Sequence, residues 1–210
     1  MNNYLEHIKI NTYARIEKIC HIQKIYNKDF ENGPFIISKP GCYVLQENIE
    51  LNFLKYENSI WNHNNANIFG IPAGIIIESS DVILDLNNYT IKQNIRDYIL
   101  QRFFAIIQLN DKPFINNKGP IPGNLQKIKT PCNIIIKNGL LGLSSHQAIL
   151  GNGNCNIFLE NLRIFDFEVT GITLNNIKNL IIDNVHIGQS NKIIPVSPLF
   201  SGLIFLFKLL

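Results

Sequence analysis

The sequence predicts an all-β solenoid of about four to five coils, preceded by an N-terminal helical cap. Three observations carry that reading. Asparagines and cysteines echo at a spacing of 23: Asn133, Asn156 and Asn179; Asn138, Asn161 and Asn184; Asn152 and Asn175; Cys132 and Cys155. A fixed period in this range marks repeats that bury their apolar faces on one another. Each period also holds three short apolar runs, too brief and too β-branched for helices. Finally, Ile and Asn dominate the chain, at 38 and 30 of 210 residues. Isoleucine suits strands, and asparagine suits tight turns.

The bulk composition narrows the class. Hydrophobic residues make up 46% and charged residues 17%, which excludes a disordered chain. The net charge of +3 comes with no basic run interleaved with aromatics, so no nucleic-acid partner is expected. The N-terminus has no apolar leader, which predicts a cytoplasmic protein. The apolar C-terminus, LFSGLIFLFKLL, is shorter than the ~20 residues a bilayer span needs. Cys20, Cys42, Cys132 and Cys155 form no CxxC pair. Cys132 and Cys155 should stack about 4.8 Å apart. Buried free thiols are the preferred reading there, with a disulfide geometrically open.

Residues 1–32 form the helical cap or extension. Leu5, Ile8, Tyr13, Ile16, Ile19, Ile22 and Ile25 roughly follow helical spacing, and Asn32-Gly33-Pro34 breaks it. An open solenoid end exposes apolar side chains and unpaired strand edges, which a helix there would cover; a partner-binding helix is the alternative.

Residues 33–210 form the solenoid. PFIISKPGCYVLQENIEL gives two strands about the Pro40-Gly41 turn, and 52–72 is a long surface loop containing Trp61. AGIIIESSDVILDLNNYTIKQ alternates strand and turn, with Asp85 organising the turn that follows it. The coil begun by FFAIIQLN is interrupted by a second long loop at 111–130. Two regular coils follow, and the segment 199–210 starts a final, incomplete one.

Period-2 alternation sends Val82/Leu84, Ile134/Ile136, Ile157/Leu159 and Leu180/Ile182 inward, with Leu162/Ile164 above Val185/Ile187. Asparagines turn the corners, because they tolerate left-handed backbone. An apolar end without a cap invites association. It predicts a truncated gene product, docking onto another subunit, a swapped partner, or self-association through the C-terminal coil.

The segments PGCYVLQENIEL and AGIIIESSDVILDLNNYTI resemble the opening coils of right-handed parallel β-helix repeat proteins of the pectin-lyase-like superfamily. Those proteins often read PGxYxLxxxI and then IxIxxxxVxLDLNGxxI; here Asn88 stands where glycine is common. The resemblance covers about residues 33–190. It implies a right-handed parallel β-helix and polysaccharide or glycoprotein partners, in a fold that hosts many activities. The Ile/Asn/Lys-rich style is similar to β-helix proteins of giant DNA viruses. On that likeness the chain would sit in host cytoplasm or on the virion.

The NTD, DD, GHG and RxK motifs of the pectin-degrading hydrolases are missing, as is the Asp-rich calcium cluster of the lyases. The expectation is therefore a noncatalytic structural or glycan-binding module without metal or cofactor. The alternative is a polysaccharide lyase or glycoside hydrolase-like enzyme, or its degenerate remnant. Glu160 and Asp183 are its candidate catalytic pair, 23 residues apart on the outward face with Lys137 in the same column. Strand spacing brings their backbones near the ~5 Å separation of retaining glycosidase carboxyls. Arg163 and His186, three residues on, form a second outward pair and are the candidate binding residues. Asp166, Glu168 and His146 gather at another corner, where a polar turn is favoured over a metal or acid–base role.

Overall fold

The computed structural model of the chain describes residues 3–52, 73–100, 104–109, 130–190 and 206. The loops expected at 52–72 and 111–130 and the coil expected at 199–210 lie almost wholly outside these residues. Helix α1 (Asn3–Glu17) leads into β1 (Ile22–Ile25), a 3₁₀ turn (Asn27–Phe30), β2 (Phe35–Ile37), β3 (Gly41–Leu45) and β4 (Ile49–Leu51). Then come β5 (Ala73–Ile77), β6 (Val82–Asp85), β7 (Thr90–Gln93), a short helix α2 (Ile95–Leu100) and β8 (Ala105–Gln108). The regular part holds β9 (Cys132–Ser144), β10 (Gln147–Asn152), β11 (Cys155–Phe167), β12 (Thr170–Asn175) and β13 (Lys178–Gly188).

The strands form two sheets. One runs β1-β3-β6-β9-β11-β13, with β4 and β7 joined to it beside β9; the other runs β2-β5-β8-β10-β12. Every pairing is parallel. The echo of 23 is the register itself, since Ile134, Ile157 and Leu180 are direct neighbours, as are Ile136, Leu159 and Ile182. Between the sheets, Val82, Leu84, Ile134, Ile136, Ile157, Leu159, Leu162 and Ile164 share one core with Ile75, Ile107 and Ile149. Burying each such side chain contributes roughly 1.5–3 kcal/mol. Toward β13 the columns lose cover: Leu180 is half-buried, and Ile182 and Ile187 are exposed.

The second and third apolar runs of a repeat are separate strands in β6 and β7 but single bent strands in β9, β11 and β13. Asn138, Asn161 and Asn184 make the bends, at φ 57°, 51° and 49°. Their amides form one ladder: Asn184 donates to Asn161, Asn161 to Asn138, and Asn138 to Asp85. A parallel ladder at the strand starts runs from Asn179 through Asn156 and Asn133 to Asp81. Asp85 also accepts the backbone N–H of Asn87, fixing the turn whose Asn87 and Asn88 both hold positive φ.

The N-terminal helix is present, and the sheet begins at β1, inside the 1–32 segment. Expected to cover the open end, the helix instead lies along the flank. The cause is an outward column that is itself apolar: Cys42, Ile83, Ile135, Phe158 and Ile181 are register neighbours. They pack with the buried Ile16 and with Leu5, Ile8 and Tyr13 of α1. Fifteen helical residues reach about 22 Å, and five strands span about 19 Å, so one helix covers the column.

The free thiols expected at Cys132 and Cys155 are corrected. Parallel register sets the two cysteines opposite each other with Cα atoms 4.6 Å apart, and they form a disulfide. A second disulfide joins Cys20 to Cys42, tying the chain just beyond α1 to β3.

Candidate functional site

The outward column next to the apolar one is charged. Asp85, Lys137, Glu160 and Asp183 are successive register neighbours on β6, β9, β11 and β13. The sequence-predicted pair is therefore adjacent, and its setting is unequal. Glu160 is only 9% exposed, whereas the Asp183 side chain is 66% exposed. The difference is α1. Tyr13 Oη donates to Glu160 Oε2 at 2.8 Å, and Lys9 Nζ lies 3.0 Å from Oε1. The same Lys9 reaches Asp183 at 3.9 Å, and Lys137 Nζ stands 5.2 Å from the Tyr13 ring centroid.

These contacts shift the groups on the helix. Burial, the hydrogen bond to Glu160 and that residue's charge push the Tyr13 phenol well above its ordinary value, so it remains a neutral donor. Burial alone would lower Lys9. Its hydrogen bond to Glu160 and the charges of Glu160, Glu6 and Asp183 outweigh that and raise it. Glu160 thus sits beneath the helix between an ammonium and a phenol, in a polar cluster made by residues far apart in sequence.

Arg163 and His186 are neighbours across β11 and β13 and are both exposed. The bends at Asn161 and Asn184 lie between this pair and the carboxylates, so the two predicted pairs stand on separate limbs of the same strands. The second limb carries a residue that sequence reasoning missed. Phe165 is half-exposed, with the Arg163 guanidinium 5.1 Å and the His186 ring 6.1 Å from its ring centroid. Its register neighbours on both sides are Gly142 and Gly188, which leave its flanks clear. The signal was available: a lone aromatic between glycines at the repeat spacing of 23.

At the remaining corner, Asp166 accepts from both the backbone N–H and the hydroxyl of Ser190. The carbonyls of Ser144 and His146 take the N–H groups of Glu168 and Val169. The turn is knitted to itself, and among the described residues no group of three or more His, Cys, Asp or Glu is placed to hold a metal ion. No helix among the described residues is long and apolar enough to cross a membrane.

Comparisons with protein-family models, with curated proteins and with solved structures each give no match.

Proposed function

We propose that the two sheets are faces of a right-handed parallel β-helix of the pectin-lyase-like kind, serving as a noncatalytic module that binds acidic polysaccharide or glycoprotein glycans. The uniform parallel register, the shared core and the asparagine ladders support the fold. One observation carries the function: Phe165 stands between two glycines, flanked by Arg163 and His186. A half-exposed ring can stack on the C–H side of a sugar, and neighbouring cations suit a carboxylate or sulfate on it. Two disulfides favour assembly in oxidising surroundings, such as the surface of a virus particle, over the cytoplasm.

The test is binding to polyuronates and to neutral glucans of similar length. Polyuronate should bind with a salt-sensitive affinity that falls about tenfold in Phe165→Ala, roughly the 1.4 kcal/mol of one lost ring contact. Equal binding of neutral glucans, or an unaffected Phe165→Ala, would sink the assignment.

The enzymatic reading keeps Glu160 and Asp183 as its carboxylate pair, and the burial of Glu160 beside an exposed partner favours it. Substrate reaches Glu160 on that reading only after α1 moves. Polysaccharide cleavage abolished by Glu160→Gln would establish it over the binding module.

A further inference from the structure

We propose that the Cys20–Cys42 disulfide is a redox latch. Oxidised, it holds α1 flat on the outward face of the sheet; reduced, it releases α1 and uncovers the apolar column together with the Glu160 carboxylate. The two disulfides are supported very differently by the strands around them.

Cys132–Cys155 joins β9 to β11, which are paired along nearly their whole length, with β11 paired again to β13. Opening it leaves that hydrogen-bonded ladder in place. Cys20–Cys42 ties down a thinly held segment. Within α1 only Thr12 and Ile16 are buried, and Tyr4 and Ile10 are 60% and 62% exposed. The following β1 has four residues, pairs among the described strands only with β3, and leaves three of its four residues exposed.

With the latch open, α1 keeps Ile16, the partly buried Leu5, Ile8 and Tyr13, the Tyr13–Glu160 hydrogen bond and the Lys9–Glu160 pair, which together must hold a helix with no covalent tie beyond its end. The Arg15–Asp81 pair, whose arginine is 65% exposed, adds little. Once lifted, a helix of 15 residues is marginal in water, so release also melts it.

The chemistry needs a dithiol reductant. One thiolate attacks Cys20 Sγ, and the Cys42 sulfur leaves as a thiolate and takes a proton. The second reductant thiolate then attacks the mixed disulfide, releasing the Cys20 thiol and a cyclic disulfide. Two electrons pass from the reductant to the protein. Cys20 is partly exposed, so the attack has a path.

Hydrogen exchange followed by mass spectrometry, with and without dithiothreitol, tests this on the full chain. Reduction should speed exchange of the α1 amides by ~10-fold or more, while β9 and β11 keep their protection. The double variant Cys132→Ser/Cys155→Ser should respond as the parent does. Cys20→Ser/Cys42→Ser should exchange rapidly at α1 with or without reductant. Protection of α1 that survives reduction would overturn the latch, as would loss of β9 and β11 together with α1. Free Cys20 and Cys42 thiols in the oxidised protein, counted by alkylation and mass, would overturn it too.

Discussion

Asn161 holds φ 51°, accepts from Asn184 and donates to Asn138. Leucine there loses both side-chain bonds and strains the left-handed backbone, for a combined cost of about 1–3 kcal/mol. Glycine loses the bonds but keeps the geometry, so Asn161→Gly should lower the urea midpoint less than Asn161→Leu. Equal losses would mean the backbone conformation contributes nothing. Tyr13 gives a pH-dependent counterpart. Its folded pKa is raised above the ordinary 10.0, so its stabilising contribution is full below pH 10 and is lost as pH rises through the folded value. Burial also raises Tyr43 and Tyr98, so absorbance at 295 nm should show several late-ionising tyrosines, of which the latest disappears in Tyr13→Phe; titration of Tyr13 at its ordinary value would contradict the buried contact. The inward columns and the corner asparagines were legible because one residue's period fixes its face. The Tyr13–Glu160 bond was not: its partners are 147 residues apart, beyond the reach of any local pattern.

Among the elements, α1 was readable as a helix and misread in its place. Alternation puts Ile83, Ile135, Phe158 and Ile181 on the outward side, a column for which the sequence pattern assigned no cover. The uninterrupted IIIK and IFLE runs carried the opposite message, since a strand buried on both faces is apolar without alternation. Gly139 shows the same tight packing at the neighbouring bend. A Cβ built there would lie 2.4 Å from Leu86 Cβ and 2.8 Å from the Tyr89 carbonyl oxygen, which itself accepts the Leu140 N–H. Backbone cannot yield as a flexible side chain does, so Gly139→Ala should cost about 1–3 kcal/mol in equilibrium unfolding. Gly142→Ala, whose nearest contact is 3.7 Å, is the matched control and should be near neutral.

At the scale of the whole molecule, the longer sheet ends, among the described residues, at β13. Ile182 and Ile187 are 44% and 45% exposed there, on the outermost strand of its sheet. Edges of this kind pair with other chains unless charge intervenes. Sedimentation should show concentration-dependent association that Ile182→Lys/Ile187→Lys suppresses without changing the thermal midpoint greatly; association unchanged by both lysines would place the contact elsewhere.

The asparagine ladders give that edge a chemical sign. Every rung donates toward the start of the chain, where Asp81 and Asp85 end the two series as pure acceptors beside Arg15 and Lys137. The far ends are the carbonyl oxygens of Asn179 and Asn184, which meet no donor among the described residues. A strand arriving at β13 in parallel register therefore continues both series only by bringing N–H donors at two sites five residues apart. Asparagine meets that condition and aspartate sets oxygen against oxygen, so the two ends of the described stack are chemically unlike, carboxylate acceptors at one and amide oxygens at the other.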